Sequence, residues 1–105
     1  MPLESSIVKA IMRAAKKQGW FVWKINGGPY QLAGMPDLQL LKNGKALFFE
    51  VKQPGKKATE RQVAMMQKLS EGEARTPCFV VTSVEEANDH LQEFEKKNIS
   101  SEKKT

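Results

Sequence analysis

The segment GMPDLQLLKNGKALFFEVK, residues 34–52, contains the signature of a β-hairpin, and this hairpin organises the rest of the chain. Two largely apolar runs flank Asn43-Gly44, and Asn-Gly in that setting is the strongest short-range signal for a two-residue type I′ turn. A two-residue turn fixes the pairing register of its strands. Counted outward from the turn, this register places Asp37 directly opposite Glu50.

The side chain of Lys52 projects from the same face as Glu50, because the two residues are two positions apart on one strand. Directly opposed side chains have Cβ atoms only about 4.5–5.5 Å apart. The carboxylates of Asp37 and Glu50 therefore repel each other unless one is protonated or a cation lies between them. Oxygen ligands without His or Cys suit Mg²⁺ or Mn²⁺ rather than Zn²⁺.

Such an ion lowers the pKa of bound water and stabilises charge on a phosphate, and a neighbouring lysine can hold the attacking water. The three side chains thus indicate a site that cleaves phosphodiester bonds. The plainer interpretation is that Glu50 and Lys52 lie on the surface of an edge strand and that Pro36-Asp37 is ordinary turn chemistry. The hairpin register favours the site because it brings Asp37 to the same point.

A longer ordered set of residues resembles the VRR-NUC family (virus-type replication-repair nucleases) of the PD-(D/E)xK nuclease superfamily, in its compact stand-alone form. The resemblance covers about residues 3–82. Its motifs are Glu4 on an opening helix, Lys24-Ile25-Asn26, Gly34-Met35-Pro36-Asp37-Leu38, Phe48-Phe49-Glu50-Val51-Lys52, and Thr59 to Gln62.

The resemblance implies an α/β fold with a restriction-endonuclease-like αβββαβ core, in which helices flank a mixed sheet. It also implies hydrolysis of DNA with Mg²⁺, for which Mn²⁺ can substitute, leaving 5′-phosphate and 3′-hydroxyl ends. In that scheme Asp37, Glu50 and the backbone carbonyl of Val51 bind the metal, Glu4 assists directly or through water, and Lys52 orients or activates the water. Gln62 would contact substrate or water.

Two of these assignments compete with structural roles. Glu4 could simply complement the dipole at the N-terminus of its helix. Gln62 is also the N3 residue of a capping box that begins at Thr59, and both roles need the same amide.

Four residues near the site are candidate DNA contacts. Lys56 and Lys57 follow the strand that contains Glu50 and Lys52, and they could bind phosphates. Lys24 could approach a phosphate from the first strand or be merely exposed. Tyr30, in a Gly-Gly-Pro loop, could stack on a base, although a plain connecting loop explains this segment as well.

Charge supports a polyanionic partner. The net charge of the 105 residues is +5. Residues 1–61 contain eleven basic and four acidic side chains, whereas residues 62–105 contain six and eight. The positive half includes the candidate site, which suits nucleic acid; the alternative is that the lysines merely solubilise a small domain.

Cysteine, histidine and hydropathy exclude several classes of protein. The single cysteine, Cys78, excludes an intrachain disulfide framework and its apolar surroundings predict a buried thiol. His90 is the only histidine and is expected to be a surface or boundary residue without a partner, which argues against histidine-metal nucleases and serine–histidine hydrolases. No apolar run has the length of a membrane span. We expect a cytoplasmic protein, of a bacterial or phage-infected cell.

Periodicity predicts the order αβββαβα in one domain, residues 1–97, followed by a polar tail, residues 98–105. The predicted helices cover residues 3–18, 59–71 and 83 onward, with capping boxes at Thr59 and Ser83. The predicted strands cover residues 20–25, 36–42, 45–52 and 77–81.

The function that these observations favour is a Mg²⁺- or Mn²⁺-dependent DNA endonuclease. A homodimer would supply two active sites and a larger basic surface, and the stand-alone relatives are similar to resolvases of four-way junctions, which suggests branched DNA, repair and recombination. Two alternatives stay open: a DNA-binding module with a nuclease fold but no catalysis, and a nuclease that acts on RNA or belongs to a restriction system.

Overall fold

The structure, a computed structural model, describes residues 3–25 and 32–103, with residues 98–103 described for their backbone alone. Seven elements follow one another in the order predicted from the sequence. They are α1 (Glu4–Lys17), β1 (Phe21–Lys24), β2 (Leu38–Lys42), β3 (Lys45–Val51), α2 (Glu60–Glu71), β4 (Cys78–Val81) and α3 (Val84–Lys103).

The hairpin turn has the predicted geometry. Asn43 and Gly44 have φ values of 51° and 76°, which is the positive-φ pair that a type I′ turn requires. Lys42 lies opposite Lys45, and the register continues to Leu38 opposite Phe49. The next pair outward is therefore Asp37 and Glu50, as predicted.

The four strands form one mixed sheet in the order β1-β2-β3-β4. β1–β2 and β2–β3 are antiparallel, whereas β3–β4 is parallel and is connected through α2. Beyond the end of β1, the backbone N–H of Ile25 still donates to the carbonyl of Asp37 at 2.7 Å. This bond extends the pairing of β1 with β2 by one residue and holds the backbone of Asp37 in place.

One face of the sheet forms the hydrophobic core with α1 and α3. Its strand residues are all buried: Val22, Leu38, Leu40, Leu47, Phe49, Val51 and Val81. The helices contribute Ile7, Val8, Ile11 and Ala15 from α1, and Ala87 and Leu91 from α3. Val51 thus points into the core, as predicted, so Glu50 and Lys52 project from the opposite face.

The opposite face is covered unevenly. Phe48, which alternates with the core residues Leu47 and Phe49, is buried on it, and α2 contacts the edge strand β4. Across β1 and β2, however, Phe21, Trp23 and Leu41 are 64%, 45% and 37% exposed. We call these three residues the open sheet face; Phe21 and Leu41 are directly opposed in the register, and Trp23 donates its ring N–H to Gln39 at 2.7 Å.

The ends of α2 and α3 match the sequence to different degrees. At α2 the capping box is complete: Thr59 accepts from the backbone N–H of Gln62, and the Gln62 amide oxygen accepts from the N–H of Thr59. At α3 only half of the predicted box forms, because Ser83 accepts from the N–H of Glu86 while the Glu86 carboxylate accepts from Thr82 instead. α3 continues to Lys103, into the segment expected to be a tail.

Two side chains outside the site differ from expectation. His90 does have a partner: its ring stacks on Phe79, with centroids 4.1 Å apart and planes 20° apart. Cys78 is half-buried rather than fully buried, and burial raises the pKa of its thiol to about 11. Among the described residues, no helix combines the length and apolarity that a membrane span needs.

Candidate active site

Asp37 and Glu50 meet at the end of the hairpin away from its turn. Asp37 directly precedes β2 and Glu50 is the last residue but one of β3. The backbone N–H of Val51 donates to Oδ2 of Asp37 at 2.8 Å, and the Asp37 carboxyl is close enough to Glu50 to raise its pKa. The structure therefore brings together the two acids that the register predicted.

Among the described residues, Glu50 is the one charged residue that is buried, with 1% of its surface exposed. Its Oε2 atom is buried and has no hydrogen-bond partner among the described residues. Burial raises the pKa of Glu50 most, followed by the hydrogen bond and the negative charge of Asp37. Together they raise the pKa from 4.5 to about 9, so without a cation Glu50 holds a proton at neutral pH.

A buried carboxyl oxygen without a partner is costly, because burial removes the water that would otherwise bind it. A cation between the two carboxylates would remove that cost and the repulsion together. The donor set is all oxygen, which fits a hard divalent ion such as Mg²⁺ or Mn²⁺. The chain within 3–25 and 32–103 contains no cluster of three or more His, Cys, Asp or Glu side chains, so the acid pair is the whole carboxylate set at this point.

Lys52 and Glu4 have opposite effects on the pKa of Glu50. Lys52, half-buried directly after β3, lowers the pKa of Glu50 through its positive charge. Glu4, the first residue of α1, raises the pKa of Glu50 slightly through its negative charge. Glu4 is therefore close enough to influence the pair, but it does not join it as a third clustered carboxylate.

The other predicted site residues differ in burial and in whether the structure describes them. Gln62 is half-buried in the first turn of α2, where its amide oxygen is occupied by the cap. Lys24, at the end of β1, and Lys56 and Lys57, between β3 and α2, are exposed. Tyr30 lies outside the described residues.

Sequence reasoning did not single out Gly34 for a role of its own. Gly34 has a φ of +84°, and a Cβ atom at this position would lie 2.8 Å from the backbone oxygen of Arg61 in α2. The loop that leads to Asp37 thus touches the first turn of α2. A glycine three residues before the acid was the available signal, but the sequence does not reveal what it touches.

The mixed four-stranded sheet and its flanking helices define an α/β domain. A solved structure described as a VRR_NUC domain matches this chain with a TM-score of 0.72 and 23% identity, over 85% of this chain and 94% of that one. No family model and no curated protein sequence matches. The chain has the fold of a VRR_NUC domain, which confirms the predicted fold class and agrees with the resemblance seen in the sequence.

Proposed function

We propose that this protein is a divalent-metal-dependent DNA endonuclease whose site is built on Asp37, Glu50 and Lys52. The observation that supports this most is the buried Oε2 of Glu50, which has no hydrogen-bond partner among the described residues and belongs to a carboxyl group beside that of Asp37. A pure binding surface gains nothing from two opposed acids. The fold, shared with a VRR_NUC domain, is consistent with this chemistry.

In this proposal Asp37, Glu50 and the carbonyl of Val51 hold Mg²⁺, or Mn²⁺ in its place. The bound ion would supply charge stabilisation at the phosphate and a lower pKa for water. Lys52 holds the attacking water and offsets phosphate charge. Glu4 acts through its charge or through water.

The chain's charged surface would then receive the DNA. Lys24, Lys56, Lys57 and Tyr30 are the proposed contacts to the nucleic acid, and Gln62 the proposed contact to substrate or water. The amide oxygen of Gln62 already accepts from Thr59, so its amide nitrogen is the group left to donate to an oxygen of the substrate.

The proposal is tested by cleavage of supercoiled plasmid and of linear, flap, splayed-arm and four-way-junction DNA, with Mg²⁺, Mn²⁺ or EDTA. Asp37→Asn and Lys52→Met are expected to lower the cleavage rate by at least about a hundredfold, the size of effect that removal of a general base or a stabilising charge produces. Lys45→Met, at the exposed hairpin tip, is the matched control and should cut as wild type does.

Three outcomes would contradict parts of the proposal. Failure to cut any DNA with metal present removes the enzyme, and salt-sensitive binding without turnover would then favour the DNA-binding module. Full activity of Asp37→Asn removes the site. Equal cutting of every DNA form removes structure selectivity and leaves the nuclease.

We further propose a homodimer that acts on branched DNA, and the open sheet face supports its first half. Phe21, Trp23 and Leu41 form a contiguous apolar surface, which favours association over solvent exposure. Light scattering should give twice the mass of one chain for wild type and one chain's mass for Phe21→Ser/Trp23→Ser. Leu3→Ser, an equally exposed apolar residue on another surface, should leave the dimer intact.

A further inference from the structure

We infer that Gly34 is a positioning residue: its missing side chain lets the loop that ends in Asp37 lie directly against the first turn of α2, and this contact fixes where Asp37 stands. The inference rests on the proposed function for its meaning. It concerns a residue that touches neither substrate nor metal.

The contact is closer than any side chain allows. A Cβ atom on Gly34 would lie 2.8 Å from the carbonyl oxygen of Arg61 and 3.0 Å from its Cγ, where ordinary contacts begin at 3.4 Å. The nearest atom belongs to the backbone, so no side-chain rotation at Arg61 relieves the overlap. Either the loop or the helix must move by several tenths of an ångström.

The loop is the part that yields. α2 is packed against β4 and its first turn is fixed by the complete capping box at Thr59. The segment from Gly34 to Asp37, in contrast, shifts as one piece, because Pro36 is fully buried with a fixed φ and only Met35 separates it from Gly34. A displacement at Gly34 is therefore transmitted to Asp37, whose carboxylate must keep its 2.8 Å hydrogen bond to Val51 to stay opposite Glu50.

Gly55 provides a matched control. Its φ of +85° equals that of Gly34 to within a degree, but a Cβ atom at Gly55 would meet no atom within 4 Å. Alanine at either position has the same backbone strain. Only alanine at position 34 also collides with Arg61, so the difference between the two variants isolates the contact.

The test compares Gly34→Ala with Gly55→Ala in three measurements: thermal unfolding in EDTA, Mn²⁺ affinity by electron paramagnetic resonance without DNA, and kcat and KM for DNA cleavage. Gly34→Ala should lose more stability than Gly55→Ala, because only Gly34→Ala adds the collision with Arg61 to the backbone strain. Gly34→Ala alone should bind Mn²⁺ at least about tenfold more weakly and lose at least about tenfold in kcat with KM nearly unchanged, since misplacement by about 1 Å can cost a hundredfold. Adding Arg61→Ala to Gly34→Ala should not restore Mn²⁺ affinity, because the backbone carbonyl of residue 61 remains in place.

Equal Mn²⁺ affinity in the two variants would overturn the inference. If wild type cuts no DNA, the proposed function fails on its own, and the Mn²⁺ comparison still decides the role of Gly34. If Gly34→Ala does not fold, Thr59→Ala is compared with Ser83→Ala; each removes the hydroxyl that accepts from the third backbone N–H of its helix, α2 or α3. A selective loss of Mn²⁺ affinity in Thr59→Ala supports the inference, and equal affinity overturns it.

Discussion

Replacing Glu50 with glutamine is expected to stabilise the metal-free protein at about pH 8 and to change little at about pH 5. Glutamine keeps the size of the side chain and remains neutral. Glutamate in the folded protein must either hold a proton or leave a charge buried beside Asp37, because its pKa is raised from 4.5 to about 9.

The sign and size of the effect follow from proton linkage. Between the two pKa values the folded protein binds the proton and the unfolded chain does not, so the Glu50 contribution to stability falls as pH rises from 4.5 to about 9. Each pH unit in that window corresponds to about 1.4 kcal/mol. From about pH 5 to about pH 8, the gain in the free energy of unfolding of Glu50→Gln over wild type should therefore grow by up to about 4 kcal/mol. This is a large share of the total free energy of unfolding of a typical protein, which is about 5–15 kcal/mol.

Urea unfolding in EDTA at both pH values measures this difference directly. Glu93→Gln, which neutralises an exposed carboxyl on α3, is the control and should change stability little at either pH. A gain for Glu50→Gln that does not depend on pH, or a destabilisation at about pH 8, would refute the picture of a buried protonated acid.

Three further results are expected. Calorimetry should show wild type releasing close to one proton per Mn²⁺ bound at neutral pH, with affinity rising as pH rises, because ligand carboxyls must ionise and the pKa of Glu50 is about 9. Gly44→Val should lower the free energy of unfolding by at least about 1 kcal/mol, since valine disfavours the φ of 76° in the turn; circular dichroism during urea titration would measure it. Thr59→Ala should cost about 1 kcal/mol in the same assay through loss of the cap.

The hairpin and the acid pair were predictable from sequence because they depend on local rules. Asn43-Gly44 selects one turn type, the turn sets the register, and the two-residue period of a strand then brings Asp37 to Glu50. The helix at Thr59 was predictable for the same reason, since a capping box is a local pattern.

The environment of the site was not predictable, because it depends on contacts between distant segments. The sequence does not show that Oε2 of Glu50 is buried with no partner among the described residues, nor that Gly34 touches Arg61. The stacking of His90 on Phe79 was missed for this reason also. At Glu86, the competing acceptor role toward Thr82 replaced half of the predicted cap.

The contacts of Lys42 were likewise not predictable from sequence. Lys42, read from sequence only as a strand residue, bonds the carbonyl of Gln18 and pairs with Glu95, joining the hairpin to α1 and α3. Such a contact requires three elements to be in place first, so no local pattern predicts it. The open sheet face was also not predictable, because the sequence pattern of β1 suits aromatic residues in the core as well as at the surface.

Anomalous diffraction from a crystal soaked in Mn²⁺ tests the central claim most directly, because it locates the ion itself. The account predicts one strong peak between the carboxylates of Asp37 and Glu50, within bonding distance of an oxygen from each and absent in crystals of Asp37→Ala. No peak at this position, or a peak bound to only one of the two acids, would contradict it.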